Sequence, residues 1–171
     1  VIWELGRNPD MRVKIVTASD NLAGDIVGSI ARHISGNARV RQAFPNLRPA
    51  SQGLWPRPGA QTSRLMVDRK SREKDPSVAG HGILSGGAGG RADLIIFDDV
   101  VDFRNAVGAP AMRKQVAQAF FEVWLNLLGP GRLPPCVPFG VFAQAHCQVL
   151  LVPHGGNVDG APARAKQVQP Y

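Results

Sequence analysis

The chain has 171 residues, 44% of them apolar and 19% charged, which is the composition of one ordinary folded domain with a real core. No apolar run approaches the roughly 18 residues that span a bilayer, and Val1-Ile2-Trp3-Glu4 has neither the basic start nor the cleavage site of a signal peptide, so a cytosolic protein is expected. A net charge of +7 suits a polyanionic partner, while the two cysteines, Cys136 and Cys147, lack the spacing and His neighbours of a zinc site and are too few for a disulfide framework.

Arg12 to Thr17 alternates polar and apolar residues and is rich in β-branched side chains, which predicts a strand. Ser19 or Asp20 can cap a following helix, along which Leu22, Ile26, Ile30 and Ile34 recur at helical spacing until Gly36-Asn37 stops it. Pro45, Pro49, Pro56 and Pro58 make the stretch from Phe44 to Gln61 an irregular surface excursion. Arg64 to Val67 predicts a short strand, Lys70 to Pro76 a polar turn, and Ser77 to Gly80 a further candidate strand. The glycine cluster Ser85 to Gly90 ends just before the strongest strand, Leu94-Ile95-Ile96-Phe97. It lacks the Lys-Ser or Lys-Thr and the following helix of a phosphate loop, so it reads as a turn feeding a buried strand.

Pro110 can open a helix that places Met112, Val116, Phe120, Val123, Trp124 and Leu127 on one face, with Gly129-Pro130-Gly131 ending it. Strands alternating with helices imply the α/β class, a mostly parallel sheet covered by helices. From Leu133 onward six prolines, one acidic residue (Asp159) and no sustained period mark a change of character. Ten of the twenty basic residues fall between Arg32 and Lys74, against only Asp68 and Glu73. That field is either a solvated loop surface or a phosphate-contacting face. His33, His81, His146 and His154 show no metal-ligand spacing, and Trp3, Trp55 and Trp124 read as packing, with Trp55 also placed to touch a partner.

The chemistry concentrates at one point. A buried parallel strand followed at once by Asp98 and Asp99 places two carboxylates at the carboxyl edge of the sheet, where open α/β sheets bind ligands. In P-loop nucleoside triphosphatases the first such carboxylate holds magnesium, commonly through its waters, and the next polarises the attacking water. Neighbouring strand residues point to opposite faces, so both can serve one site only if the chain is already turning at Asp99. The plain alternative is a pair of aspartates capping the next turn.

The order Trp3-Glu4-Leu5-Gly6, the strand Val13 to Thr17, Phe44-Pro45-Asn46-Leu47, Asp75-Pro76-Ser77-Val78, Gly90 to Asp99, Asn105-Ala106 and Trp124 to Leu128 resembles the large subunit of tailed-phage DNA-packaging terminases over about Val1 to Arg132. The resemblance implies the three-layer, mostly parallel sheet of a P-loop NTPase, incomplete here, and a motor that couples ATP hydrolysis to translocation of double-stranded DNA into procapsids. It implies Mg2+ and ATP as cofactors, Asp98 as the magnesium-associated aspartate, and Asp99 as the catalytic carboxylate where many relatives have glutamate. Arg91, just ahead of the strand, would stabilise charge on the transferring phosphoryl in its own or a neighbouring subunit's site; the alternative is an arginine paired with Asp93. The implied partners are DNA, the portal protein, the small terminase subunit and further copies in a ring, with no membrane, in the host cytoplasm at the procapsid vertex.

Two departures stand out. No segment matches the phosphate-binding loop with Lys-Ser or Lys-Thr, which in the family precedes the region beginning at Val1, so a partial ATPase domain over residues 1–132 with negligible turnover of its own is expected. After Arg132, Leu133-Pro134-Pro135-Cys136-Val137-Pro138 cannot be a central strand, so residues 133–171 are read as an atypical tail produced by a shifted reading frame or by divergence. A helicase-like nucleic-acid ATPase shares the apolar strand with paired acids, and a non-catalytic DNA-binding module would use Arg32 to Lys74 instead.

Overall fold

The computed structural model describes residues 1–56, 63–85, 89–101 and 110–128. In chain order they form helix α1 (Ile2–Arg7), strand β1 (Val13–Thr17), helices α2 (Asp20–Gly36) and α3 (Ala38–Ala43), strands β2 (Arg64–Leu65), β3 (Val78–Gly82) and β4 (Leu94–Phe97), and helix α4 (Pro110–Gln118). Helix α4 continues as a π-helical turn, Ala119–Trp124, and a 3-10 turn, Leu125–Leu127. The sheet order is β2-β3-β1-β4, with β1 parallel to both β3 and β4 and the short β2 antiparallel to β3. The protein is thus an α/β structure with a mostly parallel sheet.

All five residues of β1 are buried, because helices cover both faces of the sheet. Val13 and Ile15 join α2 in one core with Val27, Ile30 and Ile34, while Val16 joins Ile95, Phe97, Phe120 and Trp124 in the other. Strand β3 runs two residues beyond the expected Gly80, since β1 pairs with it along its whole length, from Val13 opposite Val78 to Thr17 opposite Gly82.

Ser19 caps α2 by accepting a hydrogen bond from the Leu22 N–H, as its residue type predicts. The buried stripe differs from the expected one. Ile30 and Ile34 face the core, but Ala23, Gly24 and Val27 share that face and Leu22 is 41% exposed. The reason is close approach: a Cβ on Gly80 would sit 2.8 Å from the Ala23 carbonyl oxygen, so only small residues fit where α2 crosses β3. Helix α3 follows directly because Asn37 both ends α2 and caps α3, its side chain accepting from the Arg39 N–H at 2.9 Å. The excursion after it is irregular as expected over residues 44–56, pinned by a bridge between Pro49 and Val67 and by buried Leu47.

On α4 and its continuation Val116, Phe120 and Trp124 are buried, whereas Val123 is exposed. The wider π turn aligns Trp124 with Phe120 and rotates Val123 off the sheet. The chain then returns parallel to β4, with Leu128 bridging Ala92 and the Ala92 N–H donating to the Leu127 carbonyl. Trp3 is exposed, stacked edge-on against Phe44, because the short α1 turns Glu4 and Leu5 inward instead. The helix stop at Gly129-Pro130-Gly131, the tail 133–171, Cys136, Cys147, His146 and His154 lie outside the described residues. Among the described residues no helix is long and apolar enough to cross a membrane.

Candidate functional site

Strands β1, β3 and β4 point the same way, so Thr17, Gly82 and Phe97 end on one edge, from which α2 also starts. Past Phe97 the Asp98 N–H donates to the Val16 carbonyl at 2.8 Å, carrying the ladder one residue further. The next residue, Asp99, has φ = +44°, the left-handed region that among non-glycine residues Asp and Asn tolerate best. The backbone therefore turns at Asp99, which is the condition the sequence set for the two carboxylates to share a site. Asp98 is half-buried and Asp99 exposed.

The neighbouring polar groups on this edge are occupied in holding its loops. Asp20 Oδ1 accepts from the Gly82 N–H at 2.8 Å, Thr17 Oγ1 donates to the Ser19 carbonyl at 2.7 Å, and Ser85 Oγ donates to the Gly82 carbonyl at 2.8 Å. Among the described residues the carboxylates of Asp98 and Asp99 make no hydrogen bond or ion pair, so both keep their acceptor capacity. Among the same residues no three His, Cys, Asp or Glu side chains gather as a metal site. A hydrated magnesium ion, which is usually held by one or two carboxylates with several waters, fits that arrangement. Among the described residues there is no glycine loop with a lysine facing Asp98, so none of them supplies the usual cradle of a triphosphate. Of the cluster's described residues, Ser85 follows β3 at the Asp98 edge, while Gly89 and Gly90 lead into the amino end of β4, the far end from Asp98.

Arg91 also lies at that amino end. Five residues at about 3.3 Å each separate Ala92 from Phe97, so about 16 Å of strand lies between the two edges, and the structure does not bring Arg91 to Asp98 and Asp99 within one chain. Its backbone N–H donates to Asp75 Oδ2 at 3.2 Å and its side chain is exposed. The alternative pairing with Asp93 is not formed either. Asp93 is held by Arg12, which donates from Nε at 2.9 Å and Nη2 at 3.0 Å and also reaches Glu73. The hydrogen bond to Asp93 raises the Arg12 pKa, against the opposing effect of burial.

The amino edge gathers Lys14, which the sequence reading left without a role, with several residues it had placed elsewhere. A cavity of about 340 Å³ opens there, with Lys14, Arg64, Lys74, Arg91, Asp75 and His81 among its walls. Lys14 is 5% exposed and donates from Nζ to the Gly89 carbonyl at 2.7 Å; burial lowers its pKa, and nearby Arg64 adds to that while Asp75 opposes it. His81 is packed against Trp124, ring centroids 5.4 Å apart, and burial, then Lys14 and Arg64, push its pKa down to about 4. The available signal was a lysine inside the apolar strand Val13–Thr17. The basic stretch Arg32 to Lys74 is not one face. Arg41, Arg48 and Arg69 donate to the carbonyls of Ser35, Pro45 and Asp75 and so tie loops together, whereas Arg64 and Lys74 reach the cavity.

Fold and site together define a mostly parallel α/β unit with a pair of aspartates, uncommitted among the described residues, where the chain leaves β4. No family model matches the chain. It is similar to part of the terminase large subunit of Enterobacteria phage T3, 34% identical over 102 residues that make up 58% of this chain and 16% of that protein. The resemblance drawn from the sequence to a portion of a terminase large subunit therefore stands, and the chain spans under a fifth of the length of that relative.

Proposed function

We propose that the chain carries the carboxylate half of the ATPase site of a phage DNA-packaging motor, in a sheet of the P-loop NTPase type. The observation that supports this most directly is the turn at Asp99 immediately beyond the apolar strand, which sets two carboxylates without a partner among the described residues at the carboxyl edge of a terminase-like chain. In this reading Asp98 holds hydrated magnesium and Asp99 accepts a proton from, and orients, the attacking water. In this half-site reading the phosphate-binding groups are not among the described residues, and little or no turnover by these residues alone is expected. Arg91, on the opposite edge, acts only toward a neighbouring subunit. Double-stranded DNA, the portal protein and the small subunit are the corresponding partners, at the procapsid vertex.

The test uses manganese as a paramagnetic substitute for magnesium. Titration is expected to broaden the amide signals of residues 98–100 and of Thr17 first, and Asp98→Asn to remove the effect. Broadening that begins elsewhere, or ATP turnover by this chain that Asp99→Ala abolishes, would each contradict the half-site reading.

A further inference from the structure

We infer that the cavity at the amino edge of the sheet is a binding site for a phosphate monoester dianion, separate from the edge that carries Asp98 and Asp99.

The charge balance is the first argument. Arg12 at the rim is compensated by Asp93 and Glu73. Lys14, Arg64, Lys74 and Arg91 are paired with no carboxylate among the described residues, and the acid they share the cavity with is Asp75. Four cations against one carboxylate leave a concave wall with an excess of positive charge, because His81 is neutral near pH 7. Low-dielectric walls focus such a field. Lys14 itself points the same way. A strand lysine that is 5% exposed costs desolvation, and one hydrogen bond to the Gly89 carbonyl leaves two of its three N–H donors without a partner among the described residues. An anion at the cavity floor supplies acceptors for those donors and the opposite charge.

Shape narrows the ligand. About 340 Å³ lies at the lower end of small-molecule sites, enough for a phosphate with a pentose-sized group attached. Gly89 and Gly90 form part of the wall, and their lack of side chains lets a ligand come close to the backbone. A terminal phosphate offers Lys14 three free oxygens as acceptors, whereas a phosphodiester offers two and carries a second substituent that a cavity of this size must also hold. The ligand class is therefore a terminal phosphate, whether inorganic or on a small sugar ester, and not a nucleic-acid backbone.

The experiment titrates the full chain with inorganic phosphate, ribose 5-phosphate or a short DNA duplex, with sodium chloride at matched ionic strength as the control, following the His81 imidazole by NMR. Phosphate and ribose 5-phosphate are expected to bind saturably and to raise the His81 pKa, since an anion offsets Lys14 and Arg64. Arg64→Ser with Lys74→Ser, both exposed residues whose loss leaves the fold intact, should weaken binding at least about tenfold, and Lys14→Met should remove it. The inference is overturned if chloride produces the same response, if the Arg64→Ser, Lys74→Ser chain binds as tightly as the parent, or if the duplex binds and neither small phosphate competes with it.

Discussion

Replacing His81 by a side chain that does not titrate should remove much of the acid sensitivity of the fold. His81 sits on β3, 6% exposed, between the Trp124 ring and the cations Lys14 and Arg64, with only Asp20 acting in the other direction. Its pKa falls to about 4 in the folded chain, against about 6.5 for an unperturbed histidine. The unfolded chain therefore takes up this proton at higher pH than the folded one does. Stability is fully present above about pH 6.5, falls as the pH drops, and levels off below about pH 4. A difference of about 2.5 units corresponds to about 3 kcal/mol in total, of which about 2 kcal/mol is lost between pH 7 and pH 5. Urea unfolding at those two pH values measures it. The parent should lose about 2 kcal/mol more than His81→Gln over the same interval, with carboxylate titration common to both and cancelling. Parallel losses, within about 0.5 kcal/mol, would refute the claim that burial beside Lys14 and Arg64 keeps this ring neutral.

Three further outcomes rest on the same structure. Asp99→Ala should lower stability by about 1 kcal/mol because alanine tolerates φ = +44° poorly, whereas Asp99→Gly should be neutral or slightly stabilising; equal melting temperatures would mean the turn is not held there. Gly80→Ala should cost about 1–3 kcal/mol, since the new Cβ meets the Ala23 carbonyl oxygen at 2.8 Å and its Cβ at 3.0 Å and forces α2 away from β3; chemical denaturation measures it. Arg12→Met should cost about 2–3 kcal/mol by leaving the largely buried Asp93 carboxylate without its guanidinium, and adding Asp93→Leu should recover most of that, a double-mutant cycle read by thermal unfolding.

Much of this architecture was legible locally. Alternation at Val13–Thr17, the Ser19 cap and the apolar run Leu94–Phe97 identify a strand, a helix start and a buried strand because each is encoded by residues adjacent in the chain. Those elements, with the order of segments around them, were enough to point to a mostly parallel α/β sheet and to a likeness to part of a terminase large subunit. The stripe of α2 was only half legible: periodicity marks Ile30 and Ile34, but the choice of Ala23 over Leu22 depends on Gly80 in β3, nearly sixty residues away.

The sequence by itself determined that a buried strand ends in two carboxylates and that basic residues crowd the first half of the chain. Only the tertiary structure decided which of these groups meet. A strand is a rigid spacer, so Arg91 and Asp98, close in sequence, stand at opposite edges of the sheet. Lys14, Arg64, Lys74 and Arg91 come from four separate segments and share one cavity because parallel pairing of β1, β3 and β4 brings their amino ends together and antiparallel pairing of β2 sets Arg64 opposite Ala79 of β3. Spacing along the chain fixes what an element is, and the register between strands fixes which side chains share a field.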